Sequence, residues 1–187
     1  MAKGLMLLAD GYEETEAVAA HDILGRAGIE LIPVSVKECH RVHSSRGLTI
    51  RTEINLKELG DDLSSFDFIY LPGGKLGVEN LKKNKKAIET VRKFHEEKKL
   101  VTAICAAPSI LGELGYLDGK RFTCFPGFEV GKGIKDDATG VSHDGLLITG
   151  RSMYFTIPFA EEIVRYYLGQ EGVDKIYHGT RGAELKK

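Results

Sequence analysis

Three short stretches of this chain carry residues suited to covalent chemistry, and one of them holds a thiol. In Ala103-Ile104-Cys105-Ala106-Ala107-Pro108, the cysteine follows an apolar run and precedes a proline that suits the first turn of a helix. A thiol at a helix N-terminus meets free N–H groups and the positive end of the helix dipole, which lower its pKa and favour the thiolate. The small residues Ala106 and Ala107 leave the sulfur accessible. The plain alternative is an inert strand-end cysteine, because cysteine is among the most buried residue types.

The other two stretches could serve that sulfur. In Glu13-Glu14-Thr15-Glu16, carboxylates in the first turn of a helix are favoured by its dipole whatever else they do. One turned towards a cleft and buried beside a thiolate would have a raised pKa and could donate a hydrogen bond to sulfur or relay a proton. Pro72-Gly73-Gly74-Lys75-Leu76-Gly77 lacks both the Walker spacing and the dinucleotide G-x-G-x-x-G. It reads either as a tight turn or as glycine N–H groups exposed to hold an oxyanion. The six histidines show no metal-ligand spacing, so neither a metal nor a cofactor is expected.

The surrounding elements alternate. Strands are expected at Gly4–Leu8, Leu31–Val36, Phe66–Leu71 and Leu100–Ile104, with further candidates at Leu48–Thr52 (a short edge strand), Phe122–Phe125 and Leu146–Thr149. Helical spacing covers Glu14–Ala27, with Val18, Ala20, Ile23, Leu24 and Ala27 as its apolar face and Gly28 as terminator. It recurs at Lys86–Glu97, after Pro108, and at Phe155–Leu168. From Gln170 the tail is polar and ends in two lysines, with Val173, Ile176 and Tyr177 available to dock it. The stretch Lys82–Lys86 reads as a solvated basic face. This alternation predicts an α/β fold, a mostly parallel sheet covered on both faces, in one domain over residues 1–187. Ligands of such sheets bind beyond the carboxyl ends of the strands, where the three stretches would converge.

Composition narrows the classes. At 187 residues, 42% hydrophobic and 28% charged, the chain is ordinary globular material. A net charge of −1 gives no field for nucleic acid, and no apolar run is long enough to span a bilayer. Leu5–Ala9 is too short for a signal-peptide core. Cys39, Cys105 and Cys124 form an odd, unpaired set, which points to a reducing compartment and a cytoplasmic protein.

Taken in order, Ala9-Asp10-Gly11-Tyr12-Glu13-Glu14-Thr15-Glu16, Leu71-Pro72-Gly73-Gly74-Lys75-Leu76-Gly77 and Ala103–Pro108 resemble the motifs of the ThiJ/PfpI superfamily, in the branch of the Parkinson's-disease protein deglycase and its bacterial relatives. Each motif alone is weak, whereas three at successive strand ends are specific. The resemblance implies a flavodoxin-like three-layer sandwich, a homodimer, and a cysteine on a strained nucleophile elbow. Cys105 matches the family nucleophile and Glu16 the carboxyl that bonds its sulfur. The N–H groups of Gly74 and Ala106 match oxyanion-binding positions, with Gly73 and Phe125 in the substrate pocket. Arg46 resembles an arginine at the pocket mouth and Arg26 one at the dimer contact. Two departures matter. Ala106 stands where protease-like members place a histidine, which removes the base of a Cys-His peptidase. Phe125 stands where human-type members carry a pocket histidine, so Glu16 must do the proton work alone.

The expected activity is that of a cofactor-free, glutathione-independent glyoxalase converting methylglyoxal to lactate. The resemblance also implies deglycase activity on early glycation adducts, ranked below glyoxalase chemistry. The alternative is an oxidative-stress sensor or redox-regulated chaperone in which Cys105 oxidises to sulfinate. A thiamine-pathway role ranks last, because no thiazole or phosphate site is visible.

Overall fold

The structure, a computed structural model, describes residues 1–182, and the two terminal lysines, Lys186 and Lys187, lie outside the described residues. The chain opens with β1 (Lys3–Leu8), α1 (Glu14–Arg26), β2 (Glu30–Ser35), β3 (Arg41–His43), β4 (Thr49–Arg51) and β5 (Ile54–Asn55). There follow α2 (Leu56–Leu59), β6 (Phe68–Leu71), α3 (Lys75–Lys83), α4 (Lys85–Glu96), β7 (Leu100–Ile104) and α5 (Pro108–Glu113). The last elements are β8 (Arg121–Phe122), β9 (Ile134–Lys135), β10 (Val141–Asp144), β11 (Leu147–Gly150) and α6 (Thr156–Arg181).

Seven strands form the central sheet in the order β10-β11-β7-β6-β1-β2-β5. All neighbours run parallel except the edge pair β10–β11. Alternation along each strand feeds two cores. Leu5 and Leu7 of β1, Ile69 and Leu71 of β6, and Val101 and Ala103 of β7 face α3, α4 and α5. Met6 and Leu8, Phe68 and Tyr70, and Leu100 and Ile104 face α1 and α6. The central strands are therefore apolar at nearly every interior position because both faces are covered, the buried Thr102 of β7 donating its hydroxyl to the Ile69 carbonyl. This is the expected flavodoxin-like three-layer α/β sandwich.

Several local expectations need correction. Residues 75–83 are helical although they read as a turn and a basic face; Gly77 is tolerated there because a Cβ would lie 2.8 Å from the backbone of Tyr12. The strand within Leu48–Thr52 pairs with β3 in a separate hairpin instead of edging the main sheet. Phe122–Phe125 shrinks to β8, because the Thr123 N–H donates to Thr149 Oγ1 and the Phe125 N–H donates to the Cys105 carbonyl. The antiparallel edge β10 carries no strong sequence signal. On α1, Ala20, Ile23 and Leu24 are buried as expected, but Val18 is 47% exposed. The polar tail is helical: α6 breaks at Gly169 (φ 67°) and resumes, with Val173 and Ile176 buried.

Candidate active site

Because β1, β6 and β7 are parallel neighbours, the segments following them meet at one sheet edge. Their approach is closer than any side chain would allow. A Cβ on Gly74 (φ +89°) would come within 2.3 Å of the Gly11 carbonyl. The Gly77 N–H donates to that same carbonyl at 3.1 Å, and the Glu13 N–H donates to the Gly73 carbonyl at 3.0 Å. The glycines that looked like a turn are thus the joint between two loops.

Cys105 occupies the left-handed region (φ 64°), one of two described non-glycine residues to do so. The strain is held by backbone bonds at both ends. The Cys105 N–H donates to the Gly150 carbonyl, and its own carbonyl accepts from the Phe125 N–H, each at 2.8 Å. The expected elbow is present. Gly150 escaped the sequence reading; a Cβ there would meet Ile104 at 2.8 Å.

Glu16 is fully buried on the first turn of α1. Its Oε2 accepts the Gly73 N–H at 2.6 Å, while Oε1 is buried without a hydrogen-bond partner. Burial raises its pKa to about 8; the Gly73 N–H opposes this, neighbouring Glu13 adds to it, and the Cys105 thiol opposes it. Glu13 was not singled out from the run. It caps α1 by accepting the Glu16 N–H at 2.8 Å, and this spacing of three was its available signal. Tyr70 likewise lacked a signal; its buried hydroxyl donates to the Glu16 carbonyl at 2.8 Å.

The expectation of a lowered thiol pKa is corrected. Burial raises the Cys105 thiol above its ordinary range, and the negative charge and hydrogen bond of Glu16 raise it further. The N–H groups of Gly74 and Ala106 act in the opposite direction, as oxyanion donors would. The helix behind the thiol, α5, has only six residues, so its dipole is small. A thiolate is accommodated here while Glu16 keeps its proton, since the repulsive carboxylate is then absent.

Gly73 has no room for a side chain: a Cβ would lie 2.7 Å from Cys105 Cβ and 2.8 Å from Glu16 Oε2. Beside Gly74 opens a cleft of about 550 Å³, lined also by Asp10, Glu13, Ser45, Arg46 and Lys75. Arg46 therefore shares with Gly74 the lining of a cleft whose lining residues do not include Cys105. The loop that carries it is tied to α1 by the Ser45 hydroxyl, which donates to Glu14 at 3.0 Å. Phe125 is tied to Cys105 through the backbone and is 45% exposed. Arg26 lies on the exposed end of α1, bound to Asp22 at 2.7 Å, and is not brought to the thiol by any bond described. Cys39 is exposed, whereas Cys124 is buried in the core layer opposite the one Cys105 packs against, its thiol pushed up to about 11 by burial. Among the described residues no cluster of three metal-ligating side chains occurs, and no helix is long and apolar enough to cross a membrane.

Comparison with known proteins agrees with this fold. A profile described as the DJ-1/PfpI family matches residues 2–166. The chain is 35% identical to protein DJ-1 homolog B of Arabidopsis thaliana over 90% of its own length, and spans 39% of that longer relative. It is 34% identical to a deglycase of Pyrococcus abyssi, with 75% of this chain and 78% of that protein covered. The crystal structure of a cysteine-to-alanine mutant of a DJ-1 superfamily protein from Salmonella typhimurium superposes with a TM-score of 0.90 at 31% identity, over 99% of this chain and 100% of that one.

Proposed function

This chain belongs to the DJ-1/PfpI family, and from that premise we propose that it is a cofactor-free, glutathione-independent glyoxalase of the cytoplasm, with deglycase activity on early glycation adducts. The observation that carries the reading is the buried Glu16 carboxyl, raised to about 8, set against a thiol that also meets the N–H groups of Gly74 and Ala106.

The chemistry follows from that pair. The Cys105 thiolate adds to the aldehyde carbon of methylglyoxal, and the former carbonyl oxygen, held by the Gly74 and Ala106 N–H groups, takes the proton of Glu16. The Glu16 carboxylate then removes the proton from that carbon and delivers it to the neighbouring carbon. A hydroxyl proton crosses between the two oxygens, leaving a thioester of lactate. Water cleaves the C–S bond, releasing lactate and restoring the thiol. Arg46, at the cleft, would orient the substrate. The reading includes a homodimer with Arg26 at the contact.

The test is lactate formation from methylglyoxal without glutathione, comparing wild type with Cys105→Ser. Turnover in wild type alone supports the enzyme and its nucleophile together; no turnover in either removes the glyoxalase reading.

A second reading draws on the same two N–H donors, which suit an oxidised sulfur as well as an oxyanion. Two equivalents of peroxide would take the thiolate to sulfinate, each reduced to water, and a protonated Glu16 would donate to the sulfinate oxygen. The protein would then be a redox sensor or redox-regulated chaperone.

A further inference from the structure

We propose that Thr149 is a positioning residue for the nucleophile: its hydroxyl holds the segment bearing Phe125 at the spacing that keeps both ends of the Cys105 elbow hydrogen-bonded. This rests on the catalytic reading above and names a residue that governs the same site from outside it.

The hydrogen bonds close a ring around the elbow. The Cys105 N–H donates to the Gly150 carbonyl, and the Cys105 carbonyl accepts from the Phe125 N–H, each at 2.8 Å. Thr149 precedes Gly150 in β11. Its Oγ1 accepts the N–H of Thr123, two residues before Phe125, at 2.9 Å. The other two acceptors in this ring are backbone carbonyls, so Thr149 supplies its one side chain.

A side chain is needed there because β8 is not part of the central sheet. On one side of this extended segment, the carbonyls of Lys120 and Phe122 accept the N–H groups of Ile134 and Asp136, at 2.8 and 2.7 Å. The N–H groups of Arg121, Thr123 and Phe125 point the other way, as alternate residues of a strand do. They donate in turn to the Asp144 carboxylate, the Thr149 hydroxyl and the Cys105 carbonyl. Thr123 and Thr149 are both buried, so without the hydroxyl the Thr123 N–H stays unpaired unless the segment shifts. Phe125 shifts with it, and the Cys105 carbonyl loses its donor. The positive φ of 64° is then no longer held from that end, and the sulfur drifts from Glu16 and from the Gly74 and Ala106 N–H groups.

The experiment compares wild type, Thr149→Val and Thr149→Ser at a temperature where melts show all of them folded. Valine keeps the shape of threonine without the hydroxyl, whereas serine keeps the hydroxyl without the methyl. For lactate formation from methylglyoxal, kcat is expected to fall at least about tenfold in Thr149→Val with KM little changed, and to stay within about threefold of wild type in Thr149→Ser. A residue needed only for packing gives the opposite order. That result overturns the proposal, as does an equal loss in both variants or none in Thr149→Val. The second readout, alkylation of Cys105 by iodoacetamide, needs no turnover. Burial, and after it Glu16, raise the thiol's pKa more than the two N–H groups lower it, so a sulfur released from the elbow ionises more readily. Alkylation is expected to be at least about threefold faster in Thr149→Val and unchanged in Thr149→Ser. A rate unchanged or slower in Thr149→Val, or raised equally in both variants, overturns the proposal. If wild type forms no lactate, the glyoxalase reading fails separately, and the alkylation rates alone decide whether Thr149 positions the thiol.

Discussion

The N–H of Gly73 donates to Oε2 of Glu16 over 2.6 Å, leaving Oε1 buried and without a hydrogen-bond partner. An oxygen that accepts an N–H is the carbonyl-like one, so the proton of this carboxyl belongs on Oε1. The carboxyl's other proton-sharing neighbour is the Cys105 thiol. Gly73 therefore fixes which oxygen carries the proton. It does so from a backbone position where any Cβ would strike both Glu16 and Cys105.

The first consequence is a pH profile. Below about 8, Glu16 holds its proton and so does the thiol, whose pKa is raised. A reactive pair needs one proton, because the sulfur must be able to give its proton up while Glu16 retains one to donate. Loss of the first proton, from Glu16, leaves a carboxylate that can take the thiol's proton as sulfur attacks and then donate it, so kcat/KM is expected to rise with pH through about 8. A profile that falls over that range in wild type would contradict the shared proton.

Stability should run the other way. Burial holds the Glu16 pKa at about 8 in the fold against an ordinary 4.5, so the native protein binds the extra proton between these values and the unfolded chain does not. Stability therefore falls as pH rises from about 5 to about 8. Glu16→Gln is neutral throughout and should lose this slope, becoming relatively more stable than wild type by on the order of a few kcal/mol at the alkaline end. Urea melts of both proteins at a series of pH values would show it.

Much of this site was legible because its residues announce themselves by type. Cys105 between a strand and a proline, an acidic run after the first strand, and paired glycines after the third are local signals, and parallel strands bring them together. The thiol's ionisation was misjudged because a helix dipole was assumed where α5 is short and a buried carboxyl dominates. Gly150, Tyr70 and the Thr123–Thr149 bond act through contacts distant in sequence, which no periodicity encodes. The helix α3 stayed hidden because Gly77 lowers helix propensity; it is glycine for the sake of Tyr12.

The elbow stores measurable strain. A cysteine at φ 64° sits where glycine costs nothing and other residues cost about 1 kcal/mol. Cys105→Gly is expected to melt higher than Cys105→Ala, since both lose the thiol but only glycine relieves the backbone. Equal melting temperatures would mean that the turn carries no strain.

The loop joint predicts a structural cost at the oxyanion position. In Gly74→Ala the new methyl would meet the Gly11 carbonyl at 2.3 Å from a positive φ. A loss of about 2–4 kcal/mol is expected from overpacking and strain together. Turnover should fall further than partial unfolding explains, because the displaced N–H is one of the sulfur's two donors. Denaturant melts and single-turnover rates on the folded fraction separate these effects.

The enzyme and sensor readings share every residue of the site, but they ask different things of Glu16. Turnover needs a carboxylate that can take a proton from carbon, which an amide cannot do, so Glu16→Gln should lose at least about a hundredfold in turnover. A sulfinate needs only a donor beside it, and the glutamine side chain still offers an N–H. Peroxide-treated Glu16→Gln should therefore still accumulate sulfinate on Cys105, read by the mass of the Cys105 peptide. If sulfinate and turnover were lost in equal measure, Glu16 would act on both by setting the thiol's reactivity, and the separation between base and donor would be wrong. If turnover alone is lost, the carboxylate is a catalytic base and oxidation is a property of the same pocket that does not depend on it.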